Sequence, residues 1–272
     1  MRRRGWLLAT AAVGCVGPAR RGWAAAPTVV LATTTSVEHS GLMAHLRARL
    51  RQDTGIELRV VAVGTGQAVE LVRRGDADLL LGHDAQAETA LVAQGHGLRR
   101  IEVMVNDLLM VGPRHDPAGA RGGDAVQALQ RIAAAGAPWI SRADRSGTHM
   151  AEQRLWALAG GRGPIGRGHR ACGCGMGPAL QMAAALAAYT LADRATWASF
   201  RHRAELTVLV QGDARLRNPY AVVVTNPRRH PHVQAEWAQR VADWLAGPRG
   251  QAAIAAFRLH GEMVFQPVAA SP

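Results

Sequence analysis

Thr28-Val29-Val30-Leu31-Ala32-Thr33, followed at once by Thr34-Thr35-Ser36, decides how the rest of the chain is read. A β-branched, apolar run without polar alternation reads as a strand buried on both faces, the kind that parallel sheets contain. It gives way to three small hydroxyl residues rather than to a hairpin turn. Ser40 then opens a helix whose apolar positions Leu42, Met43, Leu46 and Leu50 recur at helical spacing, and Thr54-Gly55 stops it. A second strand, 56–63, runs straight into Gly64-Thr65-Gly66. A helix over 67–74, a strand over 77–82 and a helix over 86–94 complete an alternation that predicts a parallel sheet with helices on its faces.

The stretch 98–112, rich in Val, Met, Leu and Ile around Asn106-Asp107, is long enough for two strand segments joined by a crossing. A second unit follows: a helix over 124–135, a strand over 139–141, a helix over 147–158, a Gly-rich loop over 160–175 and a helix after Gly177. Tyr189-Thr190-Leu191 reads as a short strand, Asp193 opens a helix, and 206–211 reads as another strand. The chain returns through 216–220 into a strand over 221–225. Its last two helices, 233–245 and 249–257, are expected to pack on the first unit. The implied architecture is an α/β fold of two lobes, 27–108 with 218–272 and 109–217. A cleft and a hinge lie between them.

The chain starts Met1-Arg2-Arg3-Arg4 and continues with an apolar run over 5–14, too short to span a membrane comfortably. It reads as an export signal over 1–26, with Ala24-Ala25-Ala26 as the cleavage region before Pro27. Arg3-Arg4 also fits a twin-arginine signal, and Cys15 is a weaker candidate for lipid attachment. The expected location is therefore the periplasm. Removing the segment's five arginines leaves +7 of the formal +12 charge. Every Lys or Arg position is Arg, the surplus is spread along the chain, and aromatics are 4% of residues, so nucleic-acid binding is not expected. A mild positive field attracts anions.

Three segments place hydroxyl or glycine residues where a strand yields to a helix: Thr34-Thr35-Ser36, Gly64-Thr65-Gly66 and the run from Ser141 to His149. Free N–H groups and the positive end of a helix dipole point outward at such junctions. Any one of them alone is an ordinary helix cap worth roughly 1 kcal/mol. Together they make an anion site, to which Arg142 adds a guanidinium fork suited to two oxygens of a tetrahedral anion. Ser146, His149 and Asp144 also hold the residue types of a hydrolase, but productive triads draw on distant segments and no G-x-S-x-G is present. Cys172-Gly173-Cys174 near His169 lacks the paired clusters of a zinc site. A bridge spanning one residue is strained, so the two cysteines are read as small loop residues rather than as a redox or metal pair.

Taken together, Thr33-Thr34-Thr35-Ser36 with Ser40-Gly41-Leu42, Val63-Gly64-Thr65-Gly66-Gln67-Ala68, Arg74-Gly75-Asp76-Ala77-Asp78, Ser141-Arg142 with Ser146-Gly147-Thr148-His149, and Asn218-Pro219-Tyr220 resemble the tungstate-binding proteins of Tup-type ABC importers. The resemblance implies a type II periplasmic-binding-protein fold with tungstate or molybdate in the inter-lobe cleft, no cofactor, no catalysis, and an ABC importer permease as partner; a molybdate, sulfate or phosphate receptor of the same fold and an exported hydrolase using Ser146 and His149 are the alternatives. A monomer is expected. Carried over by motif, the ligand residues are Thr34, Thr35, Ser36 and Thr65 from the first lobe and Arg142, Ser146 and Thr148 from the second. Tungstate and molybdate carry no proton at neutral pH, so a site of donors without acceptors favours them over hydrogen phosphate. One stretch departs from the family: Ala171-Cys172-Gly173-Cys174-Gly175-Met176-Gly177 stands where a Glu-Thr-Gly-Gln-Gly-Met-Gly-like sequence is usual.

Overall fold

The structure is a computed structural model that describes residues 26–161 and 168–268. The export-signal reading, 1–26, lies outside the described residues except for Ala26. Two separate sheets organise the chain. The first contains β1 (Thr28–Thr34), β2 (Glu57–Val63), β3 (Leu79–Gly82), β4 (Gly97–Val105), β10 (Pro219–Thr225) and β11 (Gln266–Pro267), in the order β11-β4-β10-β3-β1-β2. The second contains β5 (Leu108–Pro113), β6 (Trp139–Ser141), β7 (His169–Ala171), β8 (Tyr189–Asp193) and β9 (Leu206–Val210), in the order β7-β6-β8-β5-β9.

Neither sheet is purely parallel, which corrects the expectation from the alternating pattern. β1 pairs in parallel with β2 and β3, but β10 runs antiparallel to β3 and β4. In the second sheet β6 pairs in parallel with β7 and β8, whereas β5 runs antiparallel to β8 and β9. The cause is the double crossing. β1, β3 and β6 all end at the edge that faces the other sheet. A strand arriving from that other sheet enters at the same edge and must run the opposite way.

Helices α1 (Thr35–His39), α2 (Leu42–Thr54), α3 (Thr65–Arg74) and α4 (Ala85–Ala93) follow the first-sheet strands, while α5 (Ala125–Ala134), α6 (Gly147–Leu158) and α7 (Met176–Ala185) cover the second. α2 stops at Gly55, whose φ of 73° is the left-handed conformation that a helix end of this kind requires. α9 (Ala235–Ala246) and α10 (Pro248–Ala256) pack on the first sheet, where Val241, Leu245 and Ile254 join Leu31, Leu46 and Val222 in one core. α8 (Arg194–Ser199) begins beside the second sheet, yet Ala195 and Ala198 belong to that same first-sheet core. Asp193 caps α8 by accepting the Thr196 N–H at 2.9 Å.

The two crossings lie side by side. Asn106 follows β4, and its N–H donates to the Asn218 carbonyl just before β10 at 3.0 Å. The Asn106 side chain donates to Asp193 at 3.2 Å and accepts from the Ala195 N–H at 3.2 Å. Among the described residues no helix is long and apolar enough to cross a membrane.

Candidate functional site

The cleft between the sheets is built from strand ends. Thr34 closes β1, and α1 starts one residue later instead of waiting for Ser40, because Thr34 already holds the extended backbone of an N-cap. Thr34 Oγ1 lies 3.0 Å from Ser36 Oγ, so the two hydroxyls share one hydrogen bond. Across the cleft floor Gly64 caps α3, its N–H donating to Gln67 Oε1 at 3.3 Å. The first-turn N–H groups of α3 have no intrahelical partner and sit beside Thr65. Thr34, Thr35, Ser36, Thr65, Arg142 and Ser146 all line one cavity of about 420 Å³. A second chamber of about 330 Å³ shares Thr35, Ser36 and Arg142 and extends toward the start of α7 and toward α8.

Arg142 follows β6 and is 12% exposed. Its Nη2 donates to Asp144 Oδ2, and its Nε–H is buried without a partner. Asp144 Oδ1 accepts both the Ser146 N–H at 3.1 Å and the Ser146 hydroxyl at 2.6 Å. The carboxylate is therefore the centre of a compact loop, flanked by Ala143 at φ 49° and Arg145 at φ 59°. Two non-glycine residues in the left-handed region cost free energy that the surrounding bonds must offset. Burial works to raise the Asp144 pKa, but the Ser146 hydroxyl, the Arg142 charge and the Ser146 N–H together hold it below the ordinary carboxylate value. The cleft is thus not lined by donors alone, as the sequence reading had it. Asp144 is an acceptor within it, and Arg145 brings a second cationic side chain to its wall.

Thr148 does not join this group. It lies in the first turn of α6, 2% exposed and outside the lining of both chambers, because two helical steps turn it away from the cleft-facing Ser146. The hydrolase geometry is not assembled either. The Ser146 hydroxyl donates to Asp144 rather than to an imidazole. His149 instead accepts the Arg145 N–H at Nδ1, at 3.1 Å, and meets Gln153 through Nε2 at 3.2 Å.

A family model described as the PBP superfamily domain matches residues 22–249. The tungstate-binding protein TupA of Peptoclostridium acidaminophilum is 41% identical over 248 residues, covering 89% of this chain and 86% of that protein. The solved tungstate-binding protein TupA from Desulfovibrio alaskensis superposes with a TM-score of 0.83 at 40% identity, covering 90% of this chain and all of that one. The chain belongs to the PBP superfamily, in its TupA family. A solved tungstate ABC transporter protein from Geobacter sulfurreducens, also 40% identical, covers 85% of this chain and 98% of its own, with a TM-score of 0.77.

The stretch that departs from the family's usual sequence proves to be structured. Cys172 and Cys174 form a disulfide, which corrects their reading as free loop residues. Gly173 between them takes φ 61°, curling the backbone so that the two Cα atoms stand 5.1 Å apart, inside the range a bridge requires. Nor is 160–175 one long loop, since β7 lies within it, while 162–167 lie outside the described residues. Cys172 N–H donates to the Ser141 carbonyl at 3.0 Å and Cys174 N–H to the Arg142 carbonyl at 3.1 Å. These bonds extend the β6–β7 ladder as far as the cleft arginine. Gly175, just beyond the bridge, lines both chambers.

Two further residues of this family member escaped the sequence reading. His83 directly follows β3 and lines the cleft, a place that the strand's carboxyl end could have signalled. Its ring stacks on Tyr220 with centroids 4.7 Å apart, and Nδ1 lies 3.3 Å from Asn218 Oδ1. Burial holds its pKa below the usual histidine value. Asp144 had been seen only as a hydrolase orienter. Its position two residues after Arg142, and two before Ser146, is the spacing of a carboxylate that can serve both.

Proposed function

We propose that the chain captures tungstate between its two lobes and delivers it, unreacted, to an ABC importer. The observation that carries this reading is the buried, unpartnered Nε–H of Arg142, a residue lining a cleft whose wall also carries the hydroxyls of Thr34, Thr35, Ser36 and Thr65. An oxyanion oxygen satisfies that donor, and leaving it unsatisfied costs about 1–3 kcal/mol. Thr34, Thr35, Ser36 and Thr65 supply neutral donors from one side, with Arg142 opposite, while Ser146 lines the same cavity and holds Asp144 through its hydroxyl and N–H. Asp144 does not turn the site toward hydrogen phosphate, because both its oxygens are engaged by Arg142 and Ser146. The likeness to TupA proteins supports tungstate as the cargo.

The lobes of this reading are 27–108 with 218–272 and 109–217, except that Leu108 already opens β5 in the second sheet and so goes with the second lobe, and the hinge is where Asn106 meets Asn218. The basic, apolar start of the sequence supports export to the periplasm by the Sec or twin-arginine route. A monomer suffices, since one chain supplies every group named. The test is a thermal-shift screen against tungstate, molybdate, sulfate and phosphate. Tungstate is expected to raise the melting temperature most, a larger rise with molybdate would reassign the cargo, and no rise with any of the four would sink the reading.

A further inference from the structure

Beside the cleft, a ring of the first lobe stands against a glycine of the second. Gly147 opens α6 in the second lobe, and a Cβ there would stand 2.5 Å from both Nδ1 and Cε1 of His83, and 3.2 Å from the His83 carbonyl oxygen. His83 belongs to the first lobe. Its ring is held in place: it is stacked on Tyr220, which is 1% exposed and is itself backed edge-on by Phe265 at 5.9 Å. Asn218, which holds Nδ1, sits at the crossing that joins the lobes. Gly147 does not have a left-handed φ, so its backbone accommodates any L residue, and alanine favours helix over glycine. What requires glycine at this position is the facing imidazole.

We propose that the His83 ring, pressed on the Cα face of Gly147, is the stop that sets how closely the two lobes approach. It thereby fixes where Arg142 and Ser146 stand relative to Thr34 and Thr65. The inference rests on the oxyanion reading for its functional effect but not for its geometry. Ordinary carbon contacts lie near 3.5–4.0 Å, so a methyl at 147 forces the lobes apart by roughly 1 Å at this point and more at the cleft mouth. Hydrogen bonds weaken steeply over such a distance. His83 is on this account a positioning residue that need not touch the ligand.

The experiment is a double-mutant cycle of Gly147→Ala and His83→Ala in the full chain, with His83→Ser as a second route should the alanine variant fold poorly. Tungstate affinity is read by calorimetry. Separately, in the unliganded protein, the distance between spin labels at Gln52→Cys and Arg154→Cys is measured in a Cys15→Ser background. Gly147→Ala is expected to lengthen that distance and weaken tungstate binding on the order of tenfold or more, with an unchanged melting temperature. In the His83→Ala background the same substitution should cost about twofold or less, because only the carbonyl at 3.2 Å remains to meet it. An unchanged label distance in Gly147→Ala, or equal costs of Gly147→Ala in both backgrounds, overturns the proposal. A wild-type protein that binds no oxyanion while the label distances follow the cycle sinks the functional reading and leaves the stop intact.

Discussion

Arg142 and Asp144, two residues apart in one loop, hold each other at the cleft wall, and Asp144 reaches the guanidinium through Nη2 alone. The Nε edge is left without a partner. The ion pair therefore fixes the fork without consuming it, and in the proposed reading an oxyanion oxygen takes up the buried Nε–H. Removing the guanidinium takes away a charge-assisted donor while touching little of the core. Arg142→Ala is expected to weaken tungstate binding at least about a hundredfold, the scale of two lost charge-assisted bonds. Unfolding by urea should be little altered. Isothermal calorimetry giving the wild-type affinity in a folded variant would refute this role.

Glu152 lies at 5% exposure in α6, where its Oε1 accepts the Trp139 indole N–H at 2.9 Å. Burial pushes its pKa up to about 7, against the opposing pull of the Trp139 and Ser141 hydrogen bonds. An acid whose folded value is raised binds its proton more tightly in the native state, so its contribution is full below the unfolded value and is lost as pH rises through about 7. Stability is thus expected to be higher at pH 5 than at pH 8, and Glu152→Gln should remove part of that difference, on the order of 3 kcal/mol at most. Glu88, also raised to about 7 by burial, leaves the remainder in place. Urea midpoints at the two pH values, compared between wild type and variant, decide the matter.

The Cys172–Cys174 bridge closes too small a ring to add much stability, about 1.5 kcal/mol by chain entropy. Its larger effect should be local, because the flanking N–H groups hold the carbonyls of Ser141 and Arg142. Cys172→Ser with Cys174→Ser is expected to lower the melting temperature by only a few degrees. It should also weaken tungstate binding several-fold through a less ordered Arg142, and a reductant should reproduce both changes in the wild type alone. Equal affinity with and without the bridge would confine it to a structural role.

Gly250 in α10 is packed against α9 so closely that a Cβ would overlap the Trp244 carbonyl oxygen and crowd Leu245 Cα. Both neighbours are backbone and cannot swing aside. Gly250→Ala should therefore destabilise the first lobe by about 3 kcal/mol or more. Chemical denaturation measures the loss, and a variant within about 0.5 kcal/mol of wild type would mean the two helices can slide apart freely.

Much of this was readable beforehand because it rests on local chemistry. The apolar run at 28–33, the stop at Gly55 and the cap at Asp193 each follow from one or two residues and their immediate neighbours. The three hydroxyl-bearing junctions were found by the same logic, since a strand's end and a helix's start leave a mark in sequence. What escaped depends on distance. The reversed direction of β5 and β10 follows from which edge a crossing strand enters, and the contact of His83 with Gly147 joins residues 64 positions apart. Asp144 was visible as a residue but not as a partner, because loop conformation, not spacing, turns it toward Arg142. Thr148 failed for the converse reason: it shares a segment with Ser146, but the helix carries it round to the other side.

The two threads of backbone that join the sheets are themselves hydrogen-bonded to each other at Asn106 and Asn218. Strands tied at a common line bend about that line and resist sliding or twisting past one another. The halves can therefore part only on the side away from the tie. On that geometry, opening beside the ligand and release of it are expected to be one motion, so a receiver that empties the protein works against the same bend that closes it.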